Sequence, residues 1–485
     1  MDNNEFKRLA QAGLQLLKEG KYKEALAAFD KALELDPNNA VALAGKGSAL
    51  LSLGNDKEAL AAFDKAIELD PNNAGVWSVK GIALLGMKNY KEALIAFDKA
   101  IALDPNNAVA SAGKGNALLD LGNYLEALAA FDKAIELDPN NARVWSVKGI
   151  ALLGMKNYKE TLIAFDKAIE LDPSNARAWM GKGVALGTLD NDKEALAAFD
   201  KAIKLDPNNA GVWSVKGIAL RGMKNYKEAL IAFDKAIELD PNNAWAWAGK
   251  GDALLDLGNY LEALDNFNKV TALDPNNAGA WLGKGAALFS LGSHKEALAA
   301  IEKVLELEPS NVRGLWGKAE CLYHLKQINE AMRAIEEALK IEPKNTALFN
   351  VKGVFLMAGT RYEEALRYFE MALENDISCL YLFNKGAVLL RLGRLEDSQD
   401  ALERARELVR GESEEEKKLA NDCQKVLNRL KARGRAINWW EWWFGKEAGK
   451  KRVLGCALFV VVLMYVTAPL VSLNIDLMKS HGWWL

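Results

Sequence analysis

The chain has 485 residues, 50% hydrophobic and 26% charged, a balance that fits a folded protein and excludes a disordered one. A formal net charge of −3 argues against a nucleic-acid binder, whose footprint is basic. The four cysteines, Cys321, Cys379, Cys423 and Cys456, show no paired spacing, so neither a disulfide framework nor a zinc ribbon is expected, and reduced thiols in a cytosolic setting fit better.

The N-terminal MDNNEFKRLA has no basic stretch followed by an apolar one, so no signal peptide is expected. From there a period of 34 takes over. Ten prolines fall at 37, 71, 105, 139, 173, 207, 241, 275, 309 and 343, each 34 residues after the last. Each period predicts two helices. In the unit from Gly75, Trp77, Gly81, Leu84 and Leu85 follow helical spacing on a first helix, and Lys88 and Asn89 mark a turn. Ala93, Phe97 and Ala100 then form one apolar stripe on a second helix. Asp104-Pro105-Asn106-Asn107 stops it, because proline steers its predecessor out of the helical region and asparagine can cap the next helix. Small Gly81 and Ala93 allow close approach, and Phe97 fills the space beyond.

Trp213, Gly217, Tyr226, Ala229, Phe233 and Pro241 in one clean unit closely resemble the tetratricopeptide repeat (TPR) signature. The resemblance covers roughly residues 6–409. It implies an all-α fold: a right-handed TPR superhelix (α-solenoid) of about twelve helix-turn-helix units over residues 1–409. Residues 77–104 and 213–240 differ only at Leu85/Arg221 and Ala102/Glu238, which points to growth by duplication. The last units depart from the pattern: Val270 and Val304 replace Ala, Ile301 and Ile335 replace Phe, Ile377 replaces Pro, and the twelfth unit is one residue short before Gly386.

By the same resemblance, variable first-helix positions line the concave groove that receives an extended peptide or a partner helix. These positions give Asn116, Asp120, Arg143 and Arg177 in one half of the array and Asp252, Asp256 and Glu320 in the other. Ile82, Ile150 and Ile218, beside Gly86, Gly154 and Gly222, add apolar patches. Trp245 and Trp316 fall outside the usual Trp register and, with Asp252, Asp256 and Glu320, border the preferred docking site. Asn116 matches one position of the clamp that some TPR domains use for a terminal carboxylate, but Ala112 occupies the Lys position, so that activity is not expected. A ladder of lysines every 34 residues, Lys46 to Lys352, is read first as stems packed on the scaffold with each ammonium reaching an aspartate such as Asp64 or Asp98. The alternative is a positive stripe for an anionic ligand.

No catalytic constellation, cofactor motif or metal-ligand set is found, so the chain is expected not to be an enzyme, with no cofactor and no small-molecule substrate. Gly-Lys-Gly triplets such as Gly181-Lys182-Gly183 lack phosphate-loop spacing and sit within a helix. Cys321 and His324 are one helical turn apart, but Cys321 takes the place of a packing Ala.

Residues 410–436 predict a helix with Leu419, Val426, Leu427 and Leu430 that covers the last repeat. A Trp-rich and basic segment, 437–452, follows. The stretch Val453–Leu473 has 21 residues without a charge, about 31 Å as a helix, and predicts a transmembrane span. Nine Lys or Arg against two Glu between Lys425 and Arg452 place the repeats in the cytoplasm and residues 474–485 outside: a single-pass, tail-anchored chain. A GPI signal fits less well, because the chain continues past the apolar run. Trp439, Trp440, Trp442 and Trp443 with Lys450, Lys451 and Arg452 would meet one membrane interface, and Trp483 and Trp484 the other. The Trp cluster could instead anchor a protein. The expected function is a membrane-tethered scaffold for protein or peptide partners, with the lipid bilayer as second partner. The alternative is a receptor or regulatory subunit of a membrane transport, secretion or assembly complex.

Overall fold

A computed structural model describes residues 2–409 and 414–433. It contains twenty-five helices, α1 (Asp2–Lys18) to α25 (Glu414–Arg433), and the described residues contain no strand. The first twenty-four alternate as the first and second helices of twelve repeats, a first helix packing on the second helix of its own repeat and that second helix on the first helix of the next, as α1 to α3 do along the start of the chain. The chain divides into two compact units, the first ending at Val215 and the second beginning at Lys216, within α13 (Ala210–Gly222).

The repeat folds as its residues dictate. Asn107 caps α7 (Ala108–Asp120): its side-chain oxygen accepts from the Ala110 N–H at 2.9 Å. The preceding helix ends at Asp104, before the proline. Trp77 donates its indole N–H to the Pro71 carbonyl at 2.9 Å, a bond that Trp145, Trp179 and Trp247 repeat on their own prolines. The Gly-Lys-Gly triplets have the structural role expected. Gly113 faces Phe97 of the preceding second helix and Gly115 faces Phe131 of its own, and a Cβ on either would lie within 2.5 Å of a ring carbon. Both rings are fully buried.

The irregular end keeps its packing by compensation. Val270 and Val304 are fully buried in the place of alanine, and Ile335 in the place of phenylalanine. The missing residue of the twelfth repeat shows at α23 (Cys379–Arg391), whose N-cap Ser378 makes no side-chain cap bond, and Ile377 stays exposed. Helix α25 covers α24 (Leu395–Leu408) as the sequence predicts. Leu419, Val426 and Leu427 join the core of Leu402 and Ala405, and Cys423 lies buried among them. The side chain of Leu430 lies outside the described residues.

Within each unit, successive first helices touch, as α7 does α9 (Ala142–Gly154), α9 does α11 (Ala176–Gly187), and α15 (Ala244–Asp256) does α17 (Ala278–Ser290). Successive second helices do not meet to the same degree. First helices therefore line the inner side of each unit's bend.

No described helix is long and apolar enough to cross a membrane. The expected span Val453–Leu473, the segments flanking it, and the membrane-interface residues Trp439, Trp440, Trp442, Trp443, Lys450, Lys451, Arg452, Trp483 and Trp484 lie outside the described residues.

Candidate functional site

The lysine ladder is absorbed by the scaffold. Lys46 reaches Asp30 at 2.7 Å, Lys80 reaches Asp64 at 2.6 Å and Lys114 reaches Asp98 at 2.7 Å, each bridging a first helix to the second helix of the previous repeat. Several ammonium groups also sit over the tryptophan one turn back, Lys80 at 5.3 Å from the Trp77 ring centroid. Lys284 has Asn268 where others have a carboxylate, and rests over Trp281 at 4.9 Å.

The unpaired or costly charges are elsewhere, on the inner faces. In the first unit Asp120, on α7, is half-buried, and burial pushes its carboxyl up to about 6 against the pull of Arg177 and Lys88. Burial lowers the affinity of Arg177, on α11, for its proton, and neighbouring Arg143, on α9, lowers it further. One terminal nitrogen of Arg177, Nη2, is buried without an acceptor. Asn116 lies one turn before Asp120 and is half-buried. The structure thus brings Asp120, Arg143 and Arg177 together. Ile82 is exposed, whereas Ile150 is buried and offers no open patch, and Tyr124 fills the space beside Gly154.

In the second unit Arg221, on α13, donates from Nη1 to Asp252 at 2.9 Å and from Nε to Asp256 at 2.6 Å, both on α15. Burial raises the Asp252 carboxyl against the opposing effect of Arg221. Arg221 was no candidate from the sequence. The signal was present, as one of two differences between twin repeats, but its meaning depends on residues 31 and 35 positions ahead facing it across two first helices.

Further along, α19 (Val312–His324) presents Trp316, Glu320 and His324 one turn apart. Trp316 is 9% exposed, packs in the core and donates to Glu320 Oε1 at 3.2 Å, so its ring is not an open anchor. Burial pushes the Glu320 carboxyl up to about 7. His324 stacks on His294 of α18 (His294–Leu307), ring centroids 4.6 Å apart, with Phe289 against both. Burial drives His324 down to about 4, and His294 is lowered by the same cause. Cys321 is buried and its thiol pushed up to about 12, which suits packing. Trp245, on α15, is half-buried. No group of three or more metal-ligating side chains occurs among the described residues.

Family models for the tetratricopeptide repeat match residues 16–82, 84–150 and 288–355, a second such model matches 146–210 and 248–306, and a third matches 210–243. Together they span more than half of the chain. No curated protein matches the sequence. Among solved structures, yeast Tom70 is 18% identical over 89% of this chain and 98% of that one, with a TM-score of 0.43. The APC/C hetero-tetramer Cut9–Hcn1 is 14% identical over 86% and 96%, with a TM-score of 0.47. YrrB, described as a TPR protein with an unusual peptide-binding site, is 29% identical over 39% and 96%, with a TM-score of 0.32.

Proposed function

We propose a function that starts from family membership: this chain belongs to the tetratricopeptide repeat family, and it serves as a membrane-tethered scaffold that holds peptide or helical segments of protein partners on its first-helix faces. The observation that carries this reading is where charge has been left buried. The core repeats nearly unchanged, while the first helices hold half-buried or buried ionisable groups, Asp120 and Arg177 in the first unit and Asp252 and Glu320 in the second, each perturbed first by desolvation. Such groups cost stability relative to apolar residues of similar size, so they mark a face kept for recognition. On the first helices of their own units, Arg143 is exposed and Trp245 half-buried.

The tether rests on sequence: 21 uncharged residues, Val453–Leu473, behind a basic Trp-rich segment. It places the repeats on the cytoplasmic side and raises the local concentration of whatever they hold. Membrane sedimentation with alkaline washing tests it. The full chain is expected to stay with the membranes, and a chain ending at Arg433 is expected to leave them. Equal behaviour of the two would remove the tether from the proposal. For binding, capture of partners by the full chain is expected to weaken when Trp245→Ala and Asn116→Ala are combined, with helicity unchanged. Unchanged capture would count against the first-helix faces of the two units.

A further inference from the structure

The second helices turn one side away from the core, and in most repeats that side is polar or small. Their second residue is lysine in many repeats, as at Lys57, Lys91 and Lys159, and their sixth is often alanine, as at Ala61 and Ala129. Large apolar side chains break this rule in the first unit. On α6 (Tyr90–Leu103) Ile95 takes the place of the alanine and is 66% exposed. On α8 (Tyr124–Leu137) Leu125 takes the place of the lysine and is 72% exposed. On α10 (Tyr158–Leu171) Ile163 is 59% exposed. The core does not use them, since the buried stripe of α6 is Ala93, Ala96, Phe97 and Ala100. A single exposed leucine needs no explanation, but three on consecutive second helices, all on the polar side, do. The second unit, taken by itself, carries exposed Ile231 on α14 (Tyr226–Leu239) and exposed Leu261 on α16 (Tyr260–Leu273).

The charges around the first-unit trio balance. Lys114, Lys148 and Lys182 of the following first helices hold Asp98, Asp132 and Asp166. Lys133 and Lys167 bridge Glu136 and Glu170 on their own helices. On α6, α8 and α10 that leaves three lysines, Lys91, Lys99 and Lys159, against three glutamates, Glu92, Glu126 and Glu160. Lys91 and Lys99 lie one turn either side of Ile95, and Lys159 and Lys167 one turn either side of Ile163. Such stems can lie along an apolar surface while the ammonium groups stay in water or among headgroups.

A protein partner draws its affinity from a packed, desolvated pocket. Here each apolar tip stands on its own helix among charges, and the second helices do not pack on one another as the first helices do. A lipid surface needs no matching shape and takes up apolar side chains flanked by lysines. We propose that the second-helix face of the first unit rests on the lipid surface of the membrane that holds the chain, with Ile95, Leu125 and Ile163 entering the boundary between headgroups and acyl chains. The first helices, on the inner side of the unit's bend, then stay open to partners. The inference rests on the tether in the reading above, which keeps the repeats within reach of one bilayer. Because the charges balance, the contact is apolar and needs no anionic lipid.

The test is photocrosslinking of the full chain in vesicles of phosphatidylcholine alone. A benzophenone amino acid replaces Leu125, Ile163 or, as control, Ile82, which is exposed on a first helix. Adducts are read by mass spectrometry, and a parallel sample is washed with alkali. Phospholipid adducts are expected from positions 125 and 163 and none from position 82. Adding phosphatidylserine is expected to change the yields by less than about twofold, whereas a contact made by lysines would gain about fivefold for each one engaged; a gain of that size would contradict an apolar contact. Ile95→Ala combined with Leu125→Lys gives both positions residues that neighbouring repeats carry, so the fold is kept. It is expected to lower the yield from position 163 by about fivefold. If the chain washes off but lipid adducts form, the tether fails and this contact stands. If the chain stays on the vesicles with no lipid adduct from 125 or 163, or with an unchanged yield from 163 in the double variant, the tether stands and this inference falls. A chain-to-chain adduct from position 125 in place of lipid would assign the face to a second copy and overturn it as well.

Discussion

At the scale of single residues, the repeat is set by contacts that leave no room for one methyl group. A Cβ on Gly181 would sit 2.2 Å from Phe165 Cζ, and that ring is fully buried. Gly181→Ala is therefore expected to cost about 1–3 kcal/mol in urea unfolding. Gly86 is a control, since nothing lies within 4 Å of its would-be Cβ and it ends α5 (Ala74–Gly86). Gly86→Ala is expected to be neutral or to stabilise by up to about 1 kcal/mol. The turn between helices requires a left-handed residue, which is Gly122 in one repeat (φ 78°) and Lys88 in another (φ 60°). Lys88→Gly is expected to raise stability by about 0.5 kcal/mol, because glycine removes a steric cost that lysine bears there. The ladder lysines belong to the same scale. Lys80→Met keeps the stem and loses the bridge to Asp64, so a loss below about 1 kcal/mol is expected, with partner capture unchanged.

At the scale of elements, α19 carries two opposed titrations. Glu320 holds its proton in the folded chain up to about pH 7, against an ordinary value of 4.5. Between those values the folded state binds the extra proton, so stability falls as pH rises through that window. His324 is the reverse: about 4 when folded against 6.5 ordinarily, so the unfolded state binds the extra proton and stability falls as pH drops from 6.5 to 4. Between about pH 4.5 and 6.5 the two offset each other, and lowered His294 adds to the histidine side. Glu320→Gln should uncover the histidine effect. Relative to wild type its stability should fall by about 2 kcal/mol between pH 6.5 and 4.5. His324→Phe should show the opposite slope. Urea unfolding of each variant against wild type at each pH removes the titrations they share. Differences with no pH dependence in this window would contradict the assignment.

Across the whole molecule, much of the architecture is written in the period. Ten prolines fix the repeat length, and Trp, Gly, Ala and Phe in fixed register fix how each helix packs, because every unit meets the same neighbours. The cap at Asn107, the Gly113–Phe97 contact, the Lys80–Asp64 bridge and the cover by Leu419, Val426 and Leu427 all follow from spacing along one chain. The working face is less legible. Asn116, Asp120, Arg143 and Arg177 can be placed on it by their variation, but the Arg221 bridge and the His294–His324 stack join residues about one period apart. Their pairing depends on how neighbouring helices are rotated, two first helices for Arg221 and the second helix α18 against the first helix α19 for the histidines, and a difference of a few residues decides whether two groups meet. Burial of Ile150 and Trp316 is invisible for the same reason, since the neighbouring repeat supplies the cover.

The most direct measurement of which face works is site-specific photocrosslinking of the full chain in intact cells. One probe replaces Asn116 on the first-helix face, and another replaces Ile95, which is 66% exposed on a second helix. The expected result is a discrete protein adduct from position 116 and none from position 95. Adducts from position 95 with none from position 116 would contradict the claim that the first-helix face holds the partner.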